Sequence, residues 1–217
     1  MKEFVIIGLG NFGATVAREL AGRSDCRVTA IDTDRQRIQN LQEQVDVAVM
    51  SDATERKFLE NLEVDKFDCI VVSTGVDSHA SILIALYLKE LGARKIVVKA
   101  NSEDHAKILR KVGATETIIP EKMMAVRLSQ SLAQTNFIDY LPLTGDTVVA
   151  EMTPPDNFVG KTLVQLNLRS RYNVQVVAVR IEGKGDFIYV PRADYLINAD
   201  DVLVMLGHRK DIDGLKK

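Results

Sequence analysis

Gly8-Leu9-Gly10-Asn11-Phe12-Gly13 places three glycines in G-x-G-x-x-G spacing, and Asp32 stands 19 residues beyond the last of them. These residue types at this spacing suit a nucleotide. The first glycine permits a tight turn and the second lets the backbone approach a pyrophosphate. The third lets a helix pack closely on a strand, and the start of that helix offers unpaired N–H donors at its positive end. Glycines alone would equally serve a bare strand-to-helix turn; an acid at the tip of the next apolar run, Val28-Thr29-Ala30-Ile31, adds the chemistry. A carboxylate at Asp32 accepts ribose hydroxyls and repels a 2′-phosphate, which favours unphosphorylated adenosine over NADP. Arg35 and Arg37 on the following helix weaken that preference slightly or simply face solvent, and Asp34 is expected as the N-cap of that helix.

Two further stretches follow apolar runs in the same way: Ser51-Asp52-Ala53-Thr54 and Ser73-Thr74-Gly75. Both are expected at the carboxyl edge of a parallel sheet, where open α/β sheets bind ligands. Asp52 is either a ligand contact or, with Thr54, a cap of the helix starting near Glu55. Gly75 flanks the expected switch point beside Thr74, and Lys99, closing Ile96-Val97-Val98, is a cation able to meet a terminal phosphate. Catalytic groups are harder to assemble. Each of the five tyrosines lacks a lysine four positions on, so the Tyr-x-x-x-Lys pair of many dehydrogenases is absent, and His208 has no evident carboxylate partner. Cys26 and Cys69, 43 residues apart, and the scattered His79, His105 and His208 have no metal-ligand spacing; the cysteines are expected as plain thiols in a reducing cytoplasm.

The elements that must position these residues alternate. Strands are predicted at Phe4–Ile7, Val28–Ile31, Val45–Val49, Cys69–Val72, Ile96–Val98 and Thr117–Ile119. Helices are predicted at Phe12–Leu20, Arg35–Glu43, Glu55–Leu62, Ser78–Leu91, His105–Val112 and Glu121 to about Gln134. This is the pattern of an α/β domain: a Rossmann-like, doubly wound, six-stranded parallel sheet covered on both faces. Beyond residue 135 the pattern becomes Val148–Met152, Val174–Ile181, Phe187–Val190 and Val202–Leu206, with one short helix at Leu163–Leu166 and a turn at Glu182–Asp186. That predicts a second, smaller α+β domain, with domains at 1–136 and 137–217 and the boundary between Thr135 and Thr144.

Composition excludes several classes. At 217 residues, 46% apolar and 27% charged with net charge −2, the chain reads as an ordinary soluble globular protein and not as a disordered one. No basic footprint and no Trp argue against nucleic acid as a partner. The longest apolar stretch, Ile82–Leu88, has 7 residues, far short of a membrane span, and the N-terminal run is too short and too glycine-rich for a signal peptide. The helix holding Ile82–Leu88 is apolar around most of its circumference, which predicts burial of its outer face against another subunit or domain.

Taken together, these residues resemble the RCK family (regulators of potassium conductance), in particular the cytosolic subunits of Trk/Ktr-type potassium uptake systems. The carriers are Ile6 to Gly13, Val98-Lys99-Ala100, Lys111-Val112-Gly113-Ala114, Ile119-Pro120-Glu121-Lys122, Gly160-Lys161-Thr162-Leu163, Leu166-Asn167-Leu168-Arg169 and Val202 to His208. The resemblance implies a non-enzymatic subunit that binds ATP, ADP or NAD(H), forms dimers joined in a ring, an octamer, and docks on a membrane potassium channel subunit at the cytoplasmic face. The alternative is a small NAD-dependent oxidoreductase. By resemblance, Gly8, Gly10, Asn11, Phe12 and Gly13 would line the phosphates, Asp32 the ribose, Asp52 and Ala53 the adenine side, and Lys99 a distal phosphate. Glu121 matches a glutamate that helps hold a divalent cation such as Mg²⁺ near the γ-phosphate. Asn11 departs from the arginine usual in Ktr-type members, and a neutral amide does not replace that charge, so NAD(H) becomes a serious rival to ATP and ADP. Some second modules of the family bind cyclic di-AMP at their dimer interface, and Arg169 and Asn173 lie near the relevant region.

Overall fold

The computed structural model describes residues 1–75, 77–132, 137–181 and 186–216. It divides into two compact units, Met1–Glu121 and Lys122–Lys217. The expected helix end at Gln134, the expected domain limit at residue 136 and the turn at 182–185 lie outside the described residues.

In the first unit the order is β1 (Lys2–Ile7), α1 (Asn11–Ala21), β2 (Cys26–Asp32), α2 (Arg35–Leu41), β3 (Val47–Met50) and α3 (Arg56–Asn61). It continues with β4 (Cys69–Val72), α4 (Ser78–Glu90), β5 (Ile96–Lys99), α5 (Glu103–Val112) and β6 (Glu116–Ile118). The six strands pair in parallel in the order β3-β2-β1-β4-β5-β6, so the chain reverses direction across the sheet between β1 and β4. Strand alternation builds a core on each face. Val5, Ile7, Ile31, Ile70, Val72 and Ile96 pack with Leu59, Ile84, Leu88 and Leu109 from α3, α4 and α5. Ile6, Val28, Ala30 and Val71 pack with Ala17, Ile38 and Leu41 from α1 and α2. Both cysteines are free and buried, and burial pushes the Cys69 thiol up.

Helix α5 starts two residues before the predicted His105, because the Ser102 hydroxyl accepts the His105 N–H and caps a first turn carrying Glu103 and Asp104. On α4, Ile82 and Tyr87 pack against the core within the unit and the Arg56 guanidinium lies 5.4 Å from the Tyr87 ring centroid, while Leu83 and Leu86 are half-buried. On α6 (Pro120–Leu132), Met123, Met124, Val126, Leu128 and Leu132 are exposed.

The second unit holds β7 (Phe137–Pro142), β8 (Thr147–Met152), α7 (Leu163–Leu166), α8 (Leu168–Tyr172), β9 (Gln175–Ile181), β10 (Phe187–Tyr189), β11 (Asp201–His208) and α9 (Arg209–Asp213). Its strands form an antiparallel sheet in the order β10-β9-β11-β8-β7. Val148, Ala150 and Met152 alternate inward along β8 and meet Phe158, Leu166, Leu168, Ile197 and Ile212. Strand β7 was not expected from the sequence; it lies at the sheet edge, where a strand tolerates Pro142. Among the described residues no helix is long and apolar enough to cross a membrane.

Candidate functional site

The turn from β1 into α1 is built by close approach. Gly8 has φ +90° and a Cβ on it would stand 2.2 Å from the Ser73 carbonyl oxygen; a Cβ on Gly13 would stand 1.9 Å from the Gly8 oxygen. Neither position admits a side chain. Gly10 is different, because a Cβ there would meet nothing within 4 Å. As N-cap of α1, Gly10 offers no side-chain cap, and the first turn carries no carboxylate. Helices α2, α4 and α5 are capped by Asp34, Asp77 and Ser102. The donors at the start of α1 are thus left for an anion, and the bare backbone of Gly10 gives it room.

This turn opens on a cavity of about 600 Å³ at the carboxyl edge of the sheet, beside the reversal between β1 and β4. That is a volume suited to a nucleotide-sized ligand. Of the residues singled out from the sequence, Gly8, Gly10, Asp32, Asp52, Ala53, Thr74 and Gly75 line it. Asp32 is buried at the tip of β2. Its Oδ2 accepts the Leu9 N–H at 2.6 Å and its Oδ1 the Asp34 N–H at 2.8 Å, so the carboxylate is held before any ligand arrives. Asp52 does not cap α3, whose N-cap is Glu55. Instead its Oδ1 accepts both the N–H and the hydroxyl of Thr54, closing a turn on the cavity wall. Asp34 caps α2, accepting from Gln36 and Arg37.

Asn11, Phe12, Gly13, Lys99 and Glu121 are not among the lining residues. Gly13 is buried behind the turn. Lys99 and Glu121 form an ion pair, and the Lys99 ammonium lies 6.0 Å from the Phe12 ring centroid. That ammonium, hydrogen-bonded to Glu121, holds its carboxyl below the usual range. Glu121 stands paired with Lys99, and among the described residues no group of three or more His, Cys, Asp or Glu is placed to hold a metal ion.

Arg37 is on the cavity wall, and so are Asp77, His79 and Leu83, which the sequence did not single out for the site. The last three belong to the start of α4 directly after Gly75, and a helix that begins at the switch point was the available signal. Of the two readings open for Arg37, the structure favours the one beside the ribose acid, because its Nη1 reaches Asp32 Oδ2 at 3.3 Å. In the second unit, a cleft of about 240 Å³ is lined by Leu163, Asn167, Arg169, Gln175 and Pro191. Asn173 is not among its lining residues; it closes α8 at φ +56°.

The TrkA-N domain family matches residues 4–120 and the TrkA-C domain family residues 147–217. Ktr system potassium uptake protein C of Bacillus subtilis (strain 168) is 35% identical over 216 residues, covering 100% of this chain and 96% of that protein. Ktr system potassium uptake protein A of the same organism is 35% identical over 211 residues, covering 97% and 94%. Among solved structures, the GsuK RCK domain aligns with TM-score 0.67 at 19% identity, and the GsuK channel bound to NAD with TM-score 0.69 at 18%. Each covers 99% of this chain, which spans only 47% and 39% of theirs. With both domain families matched in order along one chain, and full-length likeness to Ktr proteins, the chain belongs to the TrkA-N/TrkA-C family of Ktr and Trk potassium uptake proteins, the RCK family.

Proposed function

We propose that the chain is a non-enzymatic regulatory subunit of a membrane potassium uptake channel, binding an adenosine nucleotide in its first unit and acting at the cytoplasmic face. One observation carries the nucleotide reading: the glycine turn, the uncapped start of α1 and the buried Asp32 carboxylate converge on one open cavity. Phosphates would lie at Gly8, Gly10 and the first turn of α1 with Asn11, Phe12 and Gly13, the ribose at Asp32, and the adenine toward Asp52 and Ala53. Thr74 and Gly75 would form the floor at the switch point. Lys99 would meet a distal phosphate on leaving Glu121. ATP, ADP and NAD(H) share the adenosine half and differ beyond the first phosphates, where Asn11 supplies no charge. The likeness to Ktr potassium uptake proteins supports the channel as partner, and the NAD-bound GsuK channel supports an adenine-containing ligand.

The ligand would act through differential affinity for two states of an assembled ring. The exposed apolar residues of α6 support self-association into dimers, which would join in the ring, an octamer. In the second unit, the cleft beside Arg169 is where cyclic di-AMP would sit. The test is calorimetry of the purified chain with ATP, ADP, NAD⁺ and NADH, followed by potassium flux in vesicles carrying the channel subunit. Binding that changes flux is expected. Turnover of NADH with a substrate would instead establish the oxidoreductase reading, and binding of none would overturn the nucleotide one.

A further inference from the structure

Arg37 sits in α2 with its guanidinium between two carboxylates, 3.3 Å from Asp32 Oδ2 and 3.6 Å from Asp34 Oδ2. Its side chain is 51% exposed and lines the cavity, whereas the Asp32 side chain is 5% exposed. A carboxylate offers about four acceptor positions. At Asp32 three are taken, by Leu9 N–H, Asp34 N–H and Arg37. A ribose that places both hydroxyls on Asp32 must therefore displace the guanidinium, which is free to move because its contacts are long and half in water.

Charge sets what the displaced group can do. Two carboxylates surround one guanidinium, so this corner is net negative while all three are ionised, and a phosphate on the ribose 2′ position meets repulsion. A guanidinium without those carboxylates is a planar fork matched to phosphate. We propose that Arg37 is a specificity-determining residue at the ribose end: neutralised by Asp32 and Asp34 it keeps the site selective for a free 2′-hydroxyl, and with either carboxylate's charge removed it becomes a receptor for a 2′-phosphate. Selectivity then resides in a three-residue charge balance and not in Asp32 alone. This role rests on the nucleotide reading of the cavity.

The experiment measures dissociation constants of the full chain for two ligand pairs differing only at the 2′ position: AMP against adenosine 2′,5′-bisphosphate, and NAD⁺ against NADP⁺. The unmodified chain is expected to favour the 2′-hydroxyl member by about tenfold or more, the worth of one charge-assisted contact. Asp32→Asn should erase or reverse that ratio. Asp34→Asn should narrow it by about threefold, and because Asn caps a helix as well as Asp, this variant keeps the fold even where Asp32→Asn does not. Adding Arg37→Ala to either variant should abolish the gain for the 2′-phosphate. An unmoved ratio in folded Asp34→Asn, or a gain that survives Arg37→Ala, overturns the role of Arg37 while leaving nucleotide binding intact. Failure of the unmodified chain to bind AMP, ADP, ATP, NAD⁺ or NADH overturns the nucleotide reading and this role with it.

Discussion

Asp32 Oδ2 accepts the backbone N–H of Leu9 at 2.6 Å, a bond between residues 23 apart that ties the end of β2 to the glycine turn after β1. The group expected to face a ribose therefore also holds the loop expected to face the phosphates. Asp32→Ala should weaken nucleotide binding by about 1–3 kcal/mol, the range for a lost charge-assisted hydrogen bond, and should lower the melting temperature as well. Calorimetry and thermal unfolding read the two effects separately; an unchanged dissociation constant in a folded variant would return Asp32 to a purely structural role.

Gly10 and Gly13 predict opposite phenotypes. Gly13→Ala drives a Cβ to 1.9 Å from a backbone oxygen and should destabilise the first unit by about 3 kcal/mol. Gly10→Ala meets no protein atom within 4 Å, so stability should change by less than about 1 kcal/mol while nucleotide affinity falls. Denaturant unfolding with and without ATP, ADP and NADH distinguishes them. Normal affinity in Gly10→Ala would mean that no ligand backbone lies there.

His105 predicts a pH dependence. Its Nδ1 accepts the Asn101 N–H at 3.2 Å and its Nε2 lies 3.1 Å from the Ser81 hydroxyl, bonds that suit the neutral ring protonated at Nε2. Burial holds its pKa below the ordinary value of about 6.5. As pH falls below that value the unfolded chain takes up a proton before the folded one does, so stability falls until the folded ring also titrates, then levels off. The denaturation midpoint should drop between pH 7 and pH 5, and His105→Gln should flatten that portion of the profile. An equal slope in both proteins would assign the effect to other groups.

Helix α6 predicts the assembly. Met124 and Leu128 stand four residues apart on one exposed face, so glutamate at both should place charges where an apolar partner surface would lie. Light scattering at micromolar concentration should show the unmodified chain as a dimer or larger and the double variant as smaller. A monomer in both would remove the basis for a ring.

Asn11 predicts poor discrimination of the third phosphate. With Lys99 already paired to Glu121 and no charge at Asn11, ATP and ADP should bind with similar affinity. Asn11→Arg should widen the gap by about 1.5–3 kcal/mol, the worth of a new charge-assisted bond. A strong ATP preference in the unmodified chain that survives Lys99→Ala would place the sensor elsewhere.

Much of the first unit is legible in the sequence because its signals are local. Val5, Ile7 and Ile31 sit in short apolar runs bounded by glycines and acids, and period and turn chemistry place strands and helices without reference to distant residues. Strand β7 escaped because Phe137–Pro142 is short and ends in proline, a combination that reads as a boundary; helices α8 and α9 have five residues each, too few to show a period. The first turn of α5 was announced by Ser102-Glu103-Asp104, a capping signal more telling than the apolar pattern that begins at His105.

The glycine triplet, Asp32 and the strand-helix alternation were settled by residue type and spacing, since a tight turn, a close helix contact and a carboxylate at a strand tip each need a particular side chain or none. Which charges are spent on one another was not. Lys99 meets Glu121 across 22 residues, Arg37 turns to Asp32, and Ser81 meets His105 across 24. The same holds for the covering of α4, which is flanked by α3 and α5 because the sheet runs β3-β2-β1-β4-β5-β6. Pairing and coverage depend on distances between residues remote in the chain, and those distances exist only once strand order and the packing of helices on the sheet have set them.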